Sequence, residues 1–100
     1  MIRGTTPTHI FNLPIQTNSI KEVRVSYKQG DTILVEKTEH DVKMTSTAIK
    51  LTLSQEDTLK FAANIPVQVQ LKVLTTGDVV LATPVRMVQV SVILNEEVLG

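Results

Sequence analysis

Cysteine and tryptophan are absent from this 100-residue chain, and only three aromatic side chains occur, Phe11, Tyr27 and Phe61. Without cysteine there is no disulfide, no thiolate metal ligand and no thiol nucleophile. A secreted module stapled by disulfides is excluded on the same ground. With so few rings, the core has to be aliphatic. Charge of one sign is lacking too, since ten basic residues balance ten acidic ones. Arg3, Lys21, Arg24, Lys28, Lys37, Lys43, Lys50, Lys60, Lys72 and Arg86 are scattered, whereas a nucleic-acid footprint clusters its positive charge. Nucleic acid is therefore not an expected partner. No apolar run approaches a membrane span, and residues 1–7 lack the apolar stretch of a signal peptide. A chain made in the cytoplasm, with no membrane partner, is the expectation.

What the chain does have is aliphatic side chains in alternation. The apolar fraction is 42%, enough for one domain over residues 1–100 with a core of its own. Each fully buried branched side chain contributes about 1.5–3 kcal/mol, most of it offset by conformational entropy. Runs rich in β-branched residues, separated by turn signals, predict strands at 8–13, 22–27, 31–38, 41–44, 48–53, 66–74 and 78–93. Val23, Val25 and Tyr27 alternate with Arg24, Ser26 and Lys28. Ile49, Leu51 and Leu53 do the same against Lys50 and Thr52, and Val67, Val69, Leu71 and Val73 against Gln68, Gln70 and Lys72. Each strand then has one buried and one wet face, as in antiparallel sheets. The predicted fold is all-β, an immunoglobulin-like antiparallel sandwich of about seven strands, other Greek keys remaining open.

Two hairpins carry register information. A two-residue Gly30-Asp31 turn sets Tyr27 opposite Leu34. A three-residue loop, Lys28-Gln29-Gly30, pairs Val25 with Ile33 and Val23 with Val35 and puts glycine in the left-handed position, so the loop is the preferred reading. By the same device, Thr75-Thr76-Gly77 pairs Val73 with Val79 and Leu71 with Leu81. Between the fifth and sixth strands, Ser54 with Asp57 three residues on forms a variant capping box for a short helix, and Leu59 and Phe61 would pin that crossover to the core.

The seventh strand breaks phase. Inward positions are odd through Val79 and Leu81, yet beyond Pro84 the apolar residues are Val88, Val90 and Val92. A bulge near residues 84–87 would restore the inward face. The alternative is that the slip is real, so that Val88, Val90 and Val92 face outward as a candidate interface with another subunit.

No constellation for catalysis or cofactor binding emerges. His40, in Glu39-His40-Asp41, has no second ligand at metal-site spacing and reads as part of a polar turn. His9 reads as a structural or exposed histidine. Glu56 and Asp57 are adjacent on a helical turn and do not face each other, while acids suit a helix start. Glu96 and Glu97 read as a solvated tail or a contact arm. Neither a nucleophile elbow nor a phosphate-binding glycine loop occurs. Catalytic, cofactor and metal residues are therefore expected to be none.

The opening Arg3-Gly4-Thr5-Thr6-Pro7-Thr8-His9-Ile10-Phe11-Asn12-Leu13-Pro14 resembles the start of small proteins encoded by phages and prophages of gut bacteria. Residues 51–61, 67–77 and 94–99 are similar to the same group. The resemblance implies a virion component made in the bacterial host cytoplasm, a head-decoration, head–tail or tail accessory subunit. Its partners would be other virion proteins and further copies of itself, with residues 1–7 and 95–100 as arms that order on neighbours or simply fray. Glu56-Asp57-Thr58 is also similar to the turn entering strand F of immunoglobulin domains, although the cysteine pair and tryptophan of the antibody type are missing. The alternative function is a carbohydrate- or host-surface-binding module, for which Tyr27 near a loop tip is the one candidate stacking ring.

Overall fold

In the computed structural model, which describes residues 1–100, alternation and burial coincide. On β2 (Ile20–Gln29) Val23, Val25 and Tyr27 are buried; on β5 (Ala48–Thr52) Ile49 and Leu51 are; on β6 (Val67–Thr75) Val67, Val69, Leu71 and Val73 are. The other strands are β1 (Thr8–Asn12), β3 (Thr32–Thr38), β4 (Lys43–Met44), β7 (Val80–Ala82) and β8 (Arg86–Val88), and the one α-helix is α1 (Gln55–Leu59). They form two antiparallel sheets. One has the order β1-β5-β4; the other runs β3-β2-β6, with β7 and β8 both on the far side of β6. The inner faces of both sheets contribute to a single cluster that includes Phe11, Ile49 and Leu51 from one sheet and Val25, Tyr27 and Leu71 from the other. The chain is all-β, with its core between two sheets.

β2 lies between β3 and β6, and the first turn sets that neighbourhood. Gln29 pairs with Thr32 across a two-residue Gly30-Asp31 turn, with Gly30 at φ +56°, and so tight a turn keeps both strands in one sheet. The expected three-residue loop is thus replaced, and neither expected register holds throughout. After Lys28↔Ile33 the ladder slips by one residue, so that Tyr27 faces Val35 and Val25 faces Lys37. The extra residue, Leu34, packs half-buried against the core, and Ile33 is left exposed.

The second hairpin is also displaced by one. Val73 pairs with Leu81 and Leu74 with Val80, and the Thr75 N–H donates to the Val79 carbonyl at 2.9 Å. The loop is Thr76-Gly77-Asp78, with Asp78 and not Gly77 in the left-handed region, at φ +60°. Aspartate tolerates that conformation better than most residues, so glycine was a misleading marker here.

The expected seventh strand is divided. Lys72 faces Ala82 and Val69 faces Arg86, so three steps along β6 are matched by four along its neighbour. This is a bulge centred on Pro84, which has no N–H to offer a ladder. Thr83 closes the gap. Its N–H donates to the Leu71 carbonyl at 2.9 Å, and its hydroxyl accepts the Leu71 N–H at 3.1 Å. Beyond the bulge, Val88 lies opposite Val67 and packs against the core, while Val90 is only 3% exposed. The outward-facing reading of Val88, Val90 and Val92 is corrected accordingly: only Val92 faces water.

Candidate functional site

Polar side chains gather at three places. The first is the rim of the sandwich around α1. Ser54 caps the helix by accepting the Asp57 N–H, and the Asp57 carboxylate accepts the Ser54 N–H, so the capping box is complete. Asp57 also takes Lys37 at 3.0 Å, the acid buried and the lysine half-buried. Desolvation, the largest single influence, opposes the charged form of Asp57. The Ser54 N–H, the Ser54 hydroxyl and the Lys37 ammonium outweigh it together, so the carboxyl pKa lies below its usual value. Lys37 points inward from an edge strand, a device that discourages strand-to-strand aggregation. Residues 1–5 fold onto this rim. Arg3 donates to the carbonyls of Phe61 and Leu59 and pairs with Glu96; the Thr58 hydroxyl donates to the Thr5 carbonyl. Ile2 bridges Ser91 in parallel. Gly4 sits at φ +75°, and an added Cβ would press on Ile93 and Leu59. The expected arm at residues 1–7 is packed on its own domain.

The second cluster is internal. His9 Nδ1 lies 2.7 Å from the Tyr27 hydroxyl. Burial, then the nearby Arg86 charge and the terminal ammonium, lower the His9 pKa below 6.5. Burial drives the Tyr27 phenol far above its ordinary range. Tyr27 is 0% exposed, so its placement at a loop tip is corrected: its period-two position on β2 turns it to the core, and Phe11 and Phe61 are buried as well. The third cluster is a surface turn. Glu39 accepts the Val23 N–H and binds Arg24 at 3.2 Å, which lowers its pKa, the Val23 contact leading. His40 is exposed beside it. No group of three or more histidine, aspartate or glutamate side chains converges.

The largest apolar feature is on the flank. Two adjoining hollows of about 290 and 350 Å³ share Asn12, Thr83 and Pro84, and together they run between β1 and the β7–β8 edge. Leu71, Val73 and Leu81 line one of them. Arg86 is the only charged residue lining either, and it spans the flank by donating to the Ile10 carbonyl at 3.1 Å and lying over the Phe11 ring at 4.9 Å. Open and small, these hollows sit at the lower limit of small-ligand pockets; their elongated shape suits an extended chain better. The sequence did not single them out, because a gap between two strand edges leaves no local pattern. A second feature is apolar and exposed. Val92 is 60% exposed, Leu94 102% and Leu99 71%, and this segment is tied to the body through Gln55, which exchanges two bonds with the Leu99 backbone.

Among known proteins, no family model, no curated protein and no solved structure matches this chain.

Proposed function

We propose that this chain is a non-enzymatic assembly module, acting through protein–protein contacts as a virion accessory subunit of head-decoration, head–tail or tail type. The supporting observation is the pairing of an open apolar flank with an exposed apolar segment in a chain whose buried polar groups are engaged in holding the fold. The buried side-chain polar atoms all have partners; titratable groups do not meet in a cleft in the way general acid–base chemistry uses them. The virion part of the reading, and a start in the bacterial cytoplasm, rest on the resemblance of residues 3–14, 51–61, 67–77 and 94–99. The immunoglobulin-like reading is supported by the strand order, since β1-β5-β4 and β3-β2-β6-β7 follow the B-E-D and C′-C-F-G order of variable-type domains. The carbohydrate-binding alternative gains nothing, because no aromatic ring is exposed for a sugar to stack on.

Quantitative mass spectrometry of particles purified from a host carrying the gene tests the proposal. The expected result is this chain at a fixed ratio to the major shell or tail protein. Its absence from intact particles would overturn it.

A further inference from the structure

We propose that the flank slot between β1 and β7–β8 receives residues 92–99 of a second copy of this chain, laid in as an added strand. This rests on the assembly reading above and names its partner. The slot has the chemistry of an unfilled strand position. The Leu13 N–H points to Thr47, on the β5 side, whereas the Ile10 carbonyl points to Arg86, across the flank. Backbone groups alternate in direction along a strand, so Ile10 and Asn12 present their N–H and C=O groups to the slot. Its floor is apolar, formed by Leu71 and Val73 with Leu81 at the side.

The segment fits in length, pattern and charge. Leu81 to Arg86 spans roughly 17 Å at about 3.3 Å per residue, and residues 92–99 extend to roughly 23 Å. Val92 and Leu94 continue the two-residue period of Val88 and Val90, yet both are exposed. No proline or glycine interrupts residues 92–99. Glu97, exposed and outside any ion pair, supplies negative charge to a slot whose lone charge is Arg86, while Glu96 beside it is paired with Arg3. Strand addition at an open edge is a recurring mode of recognition, with main-chain bonds giving affinity and alternate side chains giving specificity.

The register argues that the occupant belongs to another copy. In its own subunit the segment is held by Gln55 and Arg3, next to Leu53 and Thr52 and so at the Thr8 end of β1. The slot lies toward the other end, along residues 11–14. Two subunits related by a two-fold axis would fill both slots with both segments.

The absence of cysteine makes the test clean. A Leu94→Cys chain is mixed with an Ala82→Cys chain under mild oxidation; Ala82 is exposed and lines the slot. The expected product is a disulfide between the two chains, with a Leu94→Cys and Lys43→Cys mixture, which places the second thiol on the outer sheet edge, giving only background. Light scattering should show a wild-type dimer. A Val92→Asp, Leu94→Asp double variant, altered only at exposed positions, should keep its melting curve but weaken the dimer by roughly ten-fold or more. A wild-type monomer up to millimolar concentration would overturn the inference while leaving the particle measurement to judge the assembly reading. A dimer indifferent to the aspartates, with no Ala82 cross-link, would place the interface elsewhere and overturn it too. Closure of the disulfide within one doubly substituted chain at high dilution would make the occupant the chain's own segment, which also refutes it.

Discussion

The rim around α1 and the flank beside β1 are finished in opposite ways. At the rim nearly every polar group is answered from more than one direction: Asp57 by Ser54 and Lys37, Arg3 by Phe61, Leu59 and Glu96, Thr58 by Thr5 and Gln55. Several of these bonds join residues far apart in the chain, so the rim holds β3, α1 and the first residues of the chain in one unit. At the flank, two strand edges approach each other and a single guanidinium spans them. Free energy of local opening follows density of buried contact and internal bonding. The rim therefore belongs with the core in stability, and the flank is the part free to change partner.

The largest expected effect tests whether the strand beyond the bulge belongs to the core. Val90→Lys places an unpaired charge at a buried position and should destabilise by about 3–5 kcal/mol, read as a loss of the folded baseline in urea titration. A stable, folded monomer would mean that residue 90 does not pack where the structure puts it. Next in size is the rim. Asp57→Ala removes the cap partner of Ser54 and leaves Lys37 without its acid, a loss of about 1–3 kcal/mol by chemical denaturation. Asp57→Asn should recover part of it, because an amide oxygen still accepts the Ser54 N–H. Equal losses in the two variants would assign the effect to the charge pair alone.

The flank has one strong point, and it is subtle. Thr83→Val retains shape but removes the hydroxyl that accepts the Leu71 N–H. A buried N–H without an acceptor costs about 1–3 kcal/mol, partly relieved here because the flank is open to water. An outcome near 1 kcal/mol is expected, together with faster amide exchange at Leu71 than at Val69. Unchanged exchange at Leu71 would show that the bulge does not depend on Thr83.

These particulars also show what was readable in the sequence. Period two identified β2, β5 and β6 and their buried faces, because a half-buried strand enforces alternation over its whole length. The capping box was readable because Ser54 and Asp57 act at a fixed spacing. Register was not. The slip at Leu34 and the displaced loop at Asp78 change partners across strands while leaving the order of apolar residues intact. Glycine marks left-handed backbone at Gly30, in a two-residue turn, and not at Gly77, where Asp78 takes that conformation. Pro84 announced a bulge, and with it the inward face that Val88 and Val90 regain. Tyr27 lies close to a turn, but its phase on β2, shared with Val23 and Val25, decides its place in the core. The slot depends on which strands become edges, and β2 settled that by staying beside β3.

Acid titration separates the interior cluster from the rim. The His9 pKa is lowered on folding, so the unfolded chain binds the proton more readily and stability rises with pH through this window. The contribution is intact above 6.5, the unfolded value, and is lost as pH falls from there through the folded one. Asp57 acts further down: its lowered pKa gives stability that is present above 3.8 and lost as pH falls below that value. Denaturation midpoints should decline in two stages, and His9→Gln should remove only the first. A first stage that survives His9→Gln would place the titrating group elsewhere.

The smallest expected effect is the sharpest contrast with Val90. Val92→Lys alters a side chain that is already in water, and surface changes of this kind lie within about 0.5 kcal/mol. The two valines are two residues apart, on strand-like spacing, and so would share a face if the chain ran straight. Parallel bridging of Ile2 to Ser91 ends that run by bringing the first residues of the chain alongside, and after it Val92 and Leu94 turn outward while Ile93 packs half-buried beside Gly4. A loss at Val92 comparable to that at Val90 would mean that the segment packs on its own domain in solution. No loss in the monomer, with weaker self-association, would instead place Val92 with the flank as part of a surface that is completed only by another copy.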